Sequence, residues 1–434
     1  MQQKKDVYKV SRGLFIAHAA VEYFISILVG TTYLAKLGTA VGLDDGTIGL
    51  VTSFLALGCA FQIVSVFLGS KMGRKSTIIL LVIFDQLCFG ALYLVPFINL
   101  PSGLRIWIFI GLLLAGNILI NVCSPNKIAW SRGIVEQGHL GRYSALNEII
   151  SLVSGMLFSF SMGAVIDALE AKNQLMLAFA IIGAVLFILT EISTIILLLA
   201  KEKKMPKVEE ERPLLRIKSA FSDKTTLKLI PLYILWYIAL YTTTPFFGTY
   251  AINELGFTMT AVSVISAVYA ALRAIVSRPI GSYADKTSFV NTLTLGFATF
   301  ALALLALMFG GKASYVIYYL LYAVTMAATN AALASALVFE YVLPEKRAST
   351  IAVISTLAGL SGFLSTLATR PLVNLIQKNG NRFLFIDRVY AQQVVAVIGI
   401  VFAIVCIVYV NLVVRKMPRC AKLLLTDENA ETKA

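Results

Sequence analysis

Twelve apolar stretches run through the sequence, and each is long enough to cross the roughly 30 Å of hydrocarbon in a lipid bilayer. A backbone inside hydrocarbon has to satisfy its own hydrogen bonds, so these stretches are predicted to be α-helices. They cover residues 13–35, 47–69, 77–98, 104–125, 143–167, 174–200, 227–251, 258–281, 289–310, 313–342, 349–376 and 389–414. The sequence therefore predicts an all-α membrane protein with twelve transmembrane helices, surrounded by the lipid bilayer.

The charge content supports this interpretation. Charged residues make up 14% of the 434 residues, whereas a soluble globular protein has about 25%. The formal net charge of +14 is spread through the short segments between apolar stretches, which is typical of topology signals and not of a nucleic-acid-binding surface. The sequence has no nucleotide loop or nucleophile motif, and its five cysteines stand singly without metal-ligand spacing. We therefore expect no enzyme activity, no metal, no cofactor and no nucleic acid partner.

A polar link, residues 201–226, divides the apolar stretches into two groups of six. It contains a basic run, the acidic triplet Glu209–Glu211 and two prolines, a composition typical of a linker. We predict an N-terminal six-helix bundle over 1–200, a cytoplasmic linker over 201–226, a C-terminal six-helix bundle over 227–414 and a cytoplasmic tail over 415–434. The bias of Lys and Arg towards alternate loops predicts that both termini lie in the cytoplasm. We expect a monomer in the plasma membrane.

The two groups of six helices have related polar loops about half a chain apart. The loop after span two contains Lys71, Gly73, Arg74 and Lys75, and the loop after span eight contains Gly281, Asp285 and Lys286. Corresponding loops at this spacing indicate two pseudo-symmetric halves that are related as parallel repeats.

In these loops the chain resembles the major facilitator superfamily, which has G-x-x-x-D-R/K-x-G-R-R/K between spans two and three and a weaker copy between spans eight and nine. Ser70 stands here in place of the acid in the first copy. The resemblance implies the twelve-helix fold of that family, secondary transport by alternating access and no cofactor. It also implies that the two loops form a cytoplasmic gate that holds the halves together. The alternative is that Lys71, Arg74 and Lys75 only set the topology.

Ionisable side chains at membrane depth are costly and therefore mark functional sites. Glu22 lies near the middle of span one, and His18 lies one helical turn before it. A carboxylate in a low-dielectric cavity can gain and lose a proton near neutral pH, and an imidazole one turn away can share that proton. We interpret Glu22 and His18 as the proton-coupling site. The alternative is a hydrogen-bonded pair that only fixes span one.

Polar and aromatic stripes follow spans one, four, seven and ten. The resemblance implies that these four helices line a central cavity. The predicted cavity residues on these and the neighbouring span eight are Asn117, Asn121, Tyr237, Tyr241, Tyr322, Asn330 and Arg273. Arg273 is suited to an anionic group of the solute or to a buried acid. Tyrosine stripes and asparagines also hold helices together, which is the alternative for each of these residues.

These features together predict a secondary active transporter that moves a small polar organic solute by alternating access, with proton-coupled import as the leading hypothesis. The alternative is an antiporter that exports drugs or metabolites. Efflux members of the superfamily usually have a Gly-Pro signature in span five, whereas Gly155 and Gly163 are not followed by proline here.

Overall fold

The computed structural model describes residues 7–65, 75–135, 140–202, 218, 220–333, 336–343, 346–383, 386–387 and 389–419. Twelve helices in this part of the chain are long and apolar enough to cross a membrane. The first six spans are Lys9–Leu28, Asp45–Ser65, Lys75–Leu92, Ser102–Gly133, Leu146–Glu170 and Leu175–Leu199. The second six are Lys224–Glu254, Met259–Lys286, Phe289–Leu307, Gly311–Tyr341, Ser349–Lys378 and Ala391–Lys416. The predicted fold class and the twelve predicted helices are therefore confirmed.

Span one ends earlier than the hydropathy pattern predicts. Its helix stops at Leu28, and a second helix, Thr31–Val41, begins after Gly30. Gly30 is extended, and a β-carbon at this position would lie 3.0 Å from the backbone oxygen of Ile27. The break at Gly30 therefore divides the apolar stretch of span one between two helices.

Span two is also built from short helices. Asp44 starts the first of them, Asp45–Thr52, because its carboxylate accepts a hydrogen bond from the Thr47 backbone N–H at 2.7 Å. The second short helix is Phe54–Ala60.

Span seven changes its helical type after Tyr241. The α-helix Lys224–Tyr241 is followed by the 3-10 turn Thr244–Phe246, the short α-helix Phe247–Thr249 and the π-helical segment Tyr250–Glu254. Pro245 lies at the point of change. Proline has no backbone N–H and therefore interrupts the regular hydrogen-bond ladder of a helix.

The chain forms two compact units. The first contains Met1–Glu209 and Phe246–Ala267, and the second contains Glu210–Pro245 and Val268–Ala434. The second unit also has a small antiparallel hairpin between Arg382–Phe383 and Ile386–Asp387. The division of the predicted bundles at the linker 201–226 stays a prediction.

Specific contacts attach the segment Phe246–Ala267 to the first unit. The Tyr33 hydroxyl donates to the Ser159 carbonyl at 2.8 Å, and Ser263 lies beside both residues. The Asp167 carboxylate accepts the first backbone N–H groups of span eight, at 2.8 and 2.7 Å. Such a carboxylate satisfies free donors of a helix N-terminus and complements its dipole.

The core of the first unit fixes spans one, three, four and six around one another. Its buried members include Phe15 on span one, Val82 on span three, Trp130 on span four and Leu197 on span six. Phe15 and Trp130 meet edge to face with ring centroids 4.9 Å apart. This packing positions the polar side chains that lie further along the same four helices.

Candidate functional site

An ion pair between spans one and four lies at the centre of the candidate site. The Lys127 ammonium contacts a carboxylate oxygen of Glu22, and the two side chains are 12% and 21% exposed. Span four continues through Pro125 to Gly133, which places Lys127 inside the helix. Charged groups at this depth are stable only when they are paired or reach water.

His18 lies beside this ion pair. Its Nε2 lies 3.7 Å from the other carboxylate oxygen of Glu22, and its side chain is 2% exposed. Its Nδ1 lies 3.1 Å from the Ser193 hydroxyl of span six, which also accepts a hydrogen bond from the Gln86 amide at 3.1 Å. The imidazole is therefore held in one orientation by spans three and six.

Asp85 is the second acid of the site. It lies on span three and is 1% exposed. Neither carboxylate oxygen has a side-chain hydrogen-bond partner among the described residues. Lys127 and Glu22 both interact with it electrostatically. The site thus contains two carboxyl groups, the Lys127 ammonium and the His18 imidazole.

A cavity of about 200 Å³ in the first unit opens onto both acids. Spans one to four and the helix Thr31–Val41 supply its lining residues. The polar ones are Glu22, Ser26, Thr31, Thr52, Asp85, Gln86 and Asn117, and the remainder are mainly aliphatic. An apolar cavity with a few convergent polar groups is typical of a small-molecule site.

The two predicted asparagines of span four have different surroundings. Asn117 lines the cavity, and its amide donates to the Leu113 carbonyl at 2.8 Å. Asn121 donates to the Asn117 carbonyl at 2.9 Å and accepts a hydrogen bond from Gln62 of span two at 3.2 Å. Asn121 therefore ties span four to span two, as interhelical amides do in membrane proteins.

The second unit contains a cluster of tyrosines between spans eight and ten. Tyr322 stacks on Tyr318, with ring centroids 5.3 Å apart, and on Tyr269, with centroids 5.7 Å apart. Tyr319 meets the Tyr269 and Tyr318 rings edge to face. The Tyr315 hydroxyl donates to that of Tyr319 at 3.3 Å. Tyrosine rings in such an arrangement offer apolar faces and hydroxyl groups side by side.

The other predicted cavity residues also lie in the second unit. Tyr237 and Tyr241 stack with centroids 5.5 Å apart, and both rings pack against Gly362 of span eleven. Arg273 is half-buried and interacts electrostatically with Tyr322. Asn330 is exposed near the end of the helix Gly311–Leu333.

The predicted gate residues are described only in part. Lys71, Gly73 and Arg74 lie outside the described residues. The Lys75 ammonium donates to the carbonyls of Leu198 and Ala200, each at 2.6 Å, and thus binds the C-terminal end of span six. A cation at this position satisfies free carbonyls and complements the helix dipole.

The counterpart residues after span eight belong to the helix itself. The sequence predicts that span eight ends at residue 281, but the helix continues to Lys286. Gly281, Asp285 and Lys286 therefore lie in its last two turns, with Asp285 and Lys286 exposed.

Lys127 and Asp85 are the residues of the candidate site that sequence reasoning did not assign to it. The predicted span four ends at residue 125, which leaves Lys127 in the following loop, whereas the helix continues to Gly133. Lys127 lies fourteen residues after the cavity-lining Leu113, close to four turns of 3.6 residues, and this spacing was the signal that could have placed it on the same face of span four. No group of three or more His, Cys, Asp or Glu side chains suited to a metal ion occurs among the residues that the structure describes.

Solved transporters share this architecture. The nucleoside transporter NupG is 14% identical, with a TM-score of 0.69, and the match covers 92% of this chain and 98% of NupG. The D-xylose-proton symporter is 12% identical, with a TM-score of 0.67 over 92% of this chain and 96% of the symporter. A bacterial homolog of the human lysosomal transporter Spinster is 15% identical, with a TM-score of 0.66 over 95% and 98%. At these identities the likeness shows the fold.

Twelve spans, an intramembrane ion pair and an acid-lined cavity define a polytopic transport protein. The sequence profile of the Major Facilitator Superfamily matches residues 14–366. The chain belongs to this superfamily of membrane transporters, as its loop motifs predicted. A search of curated protein sequences finds no significant match.

Proposed function

We propose that this protein imports a small polar organic solute across the plasma membrane by alternating access, driven by a proton gradient. The observation that carries the proposal is the Glu22–Lys127 ion pair, whose Glu22 lines a cavity together with Asp85. Charges inside a membrane are rare and are typical of proton and solute pathways. A cluster of two carboxyl groups, an ammonium and an imidazole can change its net charge by one when it takes up a proton, so a proton gradient can act on it.

The polar contacts of this cluster connect four helices. Glu22 and His18 belong to span one, Lys127 to span four, Gln86 to span three and Ser193 to span six. A proton that changes the partner of Lys127 also changes which helices are tied together. Proton binding and helix movement are then linked, as coupled transport requires.

The tyrosine cluster supports a ring-containing polar solute. Seven tyrosine rings of spans seven, eight and ten combine apolar faces with hydroxyl groups, and Arg273 adds a positive charge beside Tyr322. Sugars and nucleosides have both apolar ring faces and hydroxyl groups. The similar structures include a nucleoside transporter and a D-xylose-proton symporter, which makes nucleosides and pentoses the first solutes to test.

Purified protein in proteoliposomes tests this function. Radiolabelled nucleosides, sugars, organic acids and amino acids are offered under an imposed pH gradient, and the internal pH is followed with a dye. We expect one solute class to accumulate on the side that receives protons. Solute movement against the proton flow would contradict import by symport.

Glu22→Gln tests the ion pair within the same assay. We expect loss of uptake driven by a pH gradient, with solute exchange at equal pH retained. The matched control is Glu191→Gln on span six, because Glu191 is exposed and lies outside the cavity. Unchanged gradient-driven uptake in Glu22→Gln would contradict a coupling role for the ion pair.

We further propose that the transporter is a monomer with both termini in the cytoplasm. The loop bias of Lys and Arg supports this orientation. Protease accessibility of terminal tags in right-side-out vesicles tests it, and digestion of either tag from outside would contradict it. Light scattering of the purified protein in detergent measures its oligomeric state.

A further inference from the structure

Asp85 has an unusual environment for a carboxylate inside a membrane. It is almost fully buried and lines the cavity. Its carboxylate oxygens have no side-chain hydrogen-bond partner among the described residues, and the donor beside them is the Gln86 backbone N–H. An ionised carboxylate without partners in a low-dielectric site is strongly unfavourable, whereas its protonated form is neutral.

Few titratable groups surround Asp85 among the described residues. Span four contributes Lys127 and the Cys123 thiol, span one contributes Glu22, and span three itself contributes the Cys88 thiol. Span six packs against span three and contributes the uncharged Ser193 next to Gln86. Lys127 is the ammonium that interacts with both acids, and it is bonded to Glu22 in this arrangement, while the His18 imidazole of span one lies 3.7 Å from Glu22.

We propose that Asp85 carries the coupling proton and that Lys127 exchanges its partner from Glu22 to Asp85 when that proton leaves. With Asp85 protonated, the single positive charge of Lys127 balances Glu22 and the cluster is neutral. Loss of the proton from the Asp85 carboxyl to water in the cavity leaves a second anion, which attracts the Lys127 ammonium. The flexible four-carbon stem of lysine permits this change of partner.

This inference rests on the proposed proton-coupled transport and assigns its proton to one side chain. Glu22 then has a different task, because it holds Lys127 while Asp85 is neutral. In Glu22→Gln the lysine is free to pair with Asp85 at all times. Asp85 would then stay ionised, which explains why that variant loses coupling although Glu22 itself carries no proton.

Labelling with dicyclohexylcarbodiimide tests the assignment without any solute. This reagent modifies protonated carboxyl groups in apolar surroundings, and mass spectrometry of peptides locates the product. In purified wild-type protein we expect labelling of Asp85 that falls several-fold between pH 6 and pH 9, with Glu22 unlabelled. Labelling of Glu22 without Asp85, no labelling of Asp85, or equal labelling of Asp85 across this range would overturn the proposal.

Two variants make the partner exchange visible. In Glu22→Gln, labelling of Asp85 at pH 6 should fall several-fold, because Lys127 pairs with it. In Lys127→Met, labelling of Asp85 should persist to higher pH and Glu22 should become labelled as well. Unchanged Asp85 labelling in both variants would show that Lys127 does not exchange partners.

Transport by Asp85→Asn separates this inference from the proposed function. We expect solute exchange at equal pH with loss of solute-linked proton movement, whereas Glu191→Gln retains both. If the wild-type protein moves protons with its solute and Asp85→Asn does too, the assignment to Asp85 fails and proton-coupled transport stands. If the wild-type protein moves no protons with any solute, the proposed function fails, and the labelling pattern independently decides the protonation of Asp85.

Discussion

Replacement of Lys127 by methionine isolates the electrostatic role of the ion pair. Methionine keeps an unbranched apolar stem of similar length and removes the charge, so the packing of span four changes little. Glu22 then lies in the cavity wall without its base. It has to remain ionised at a high electrostatic cost or take up a proton from water.

Proton uptake sets an upper limit on this cost. An ordinary glutamate has a pKa of about 4.3, so protonating it at pH 7 costs about 3.7 kcal/mol, and protonating it at pH 5.5 costs about 1.6 kcal/mol. Loss of the hydrogen bond between the side chains adds about 1 kcal/mol at either pH. Because the proton becomes easier to acquire as the pH falls, Lys127→Met should regain about 2 kcal/mol relative to wild type between pH 7 and pH 5.5.

Thermal unfolding in detergent measures this effect. A thiol-reactive fluorescent dye reports the exposure of the buried Cys123 and Cys406. A change of 1 kcal/mol corresponds to about 2–4 °C for a unit of about 200 residues, so the regained stability should raise the midpoint by about 4–8 °C relative to wild type.

Lys36→Met is the matched control. Lys36 pairs with Glu170 at 2.5 Å, but Glu170 is 42% exposed and stays hydrated without its partner. A pair of this kind contributes about 0–1 kcal/mol, and we expect no recovery at low pH. The same loss of stability for Lys127→Met at pH 7 and pH 5.5 would refute the electrostatic reasoning. A loss of stability in Lys36→Met as large as that in Lys127→Met would refute it too.

Three further substitutions test close contacts elsewhere. Gly248→Ala places a β-carbon against a backbone carbonyl of the helix Thr31–Val41, so we expect thermal unfolding to show a loss of stability of about 1–3 kcal/mol. Gly111 has open space around it, so Gly111→Ala should leave the stability unchanged. Asp167→Ala removes the cap of span eight and should cost about 1 kcal/mol, while Asp167→Asn should retain most of it, because asparagine is also a good cap; equal losses would contradict capping. Gly362→Ala brings a β-carbon within 2.9 Å of the Tyr241 ring and should raise the KM for the solute several-fold; an unchanged KM would place Tyr241 outside the solute site.

The twelve spans could be predicted because hydrocarbon leaves a chain few choices. Long apolar stretches have to form helices, and their positions follow from composition alone. The breaks could not be predicted with the same certainty. The turn at Gly30 depends on close backbone contacts, and span four continues through Pro125 although proline disfavours a helix interior. Both depend on neighbouring helices, which a single sequence does not reveal.

The candidate site could be predicted only in part from the sequence. Glu22 and His18 stand out because they are ionisable residues in the middle of an apolar stretch and share one helix face. Lys127 was missed because the apolar stretch of span four ends at residue 125, whereas the helix continues to Gly133. The spacing of the tyrosines predicts a shared face, but their stacking between spans eight and ten depends on tertiary packing.

The composition of the acid cluster also indicates which ion drives transport. A sodium ion is a hard cation that needs several oxygen ligands at once, whereas a proton needs one. Gln86 Oε1 is the other oxygen beside Asp85 without a hydrogen-bond partner among the described residues. The Glu22 carboxylate is bonded to Lys127, and the remaining described neighbours are the thiols of Cys88 and Cys123 and the Lys127 ammonium. A positive lysine repels a second cation, but it does not oppose a proton that makes Asp85 neutral. We therefore expect uptake under a pH gradient to be unchanged when choline replaces sodium. Uptake that requires a sodium gradient would show that Asp85 and Gln86 bind a metal cation instead.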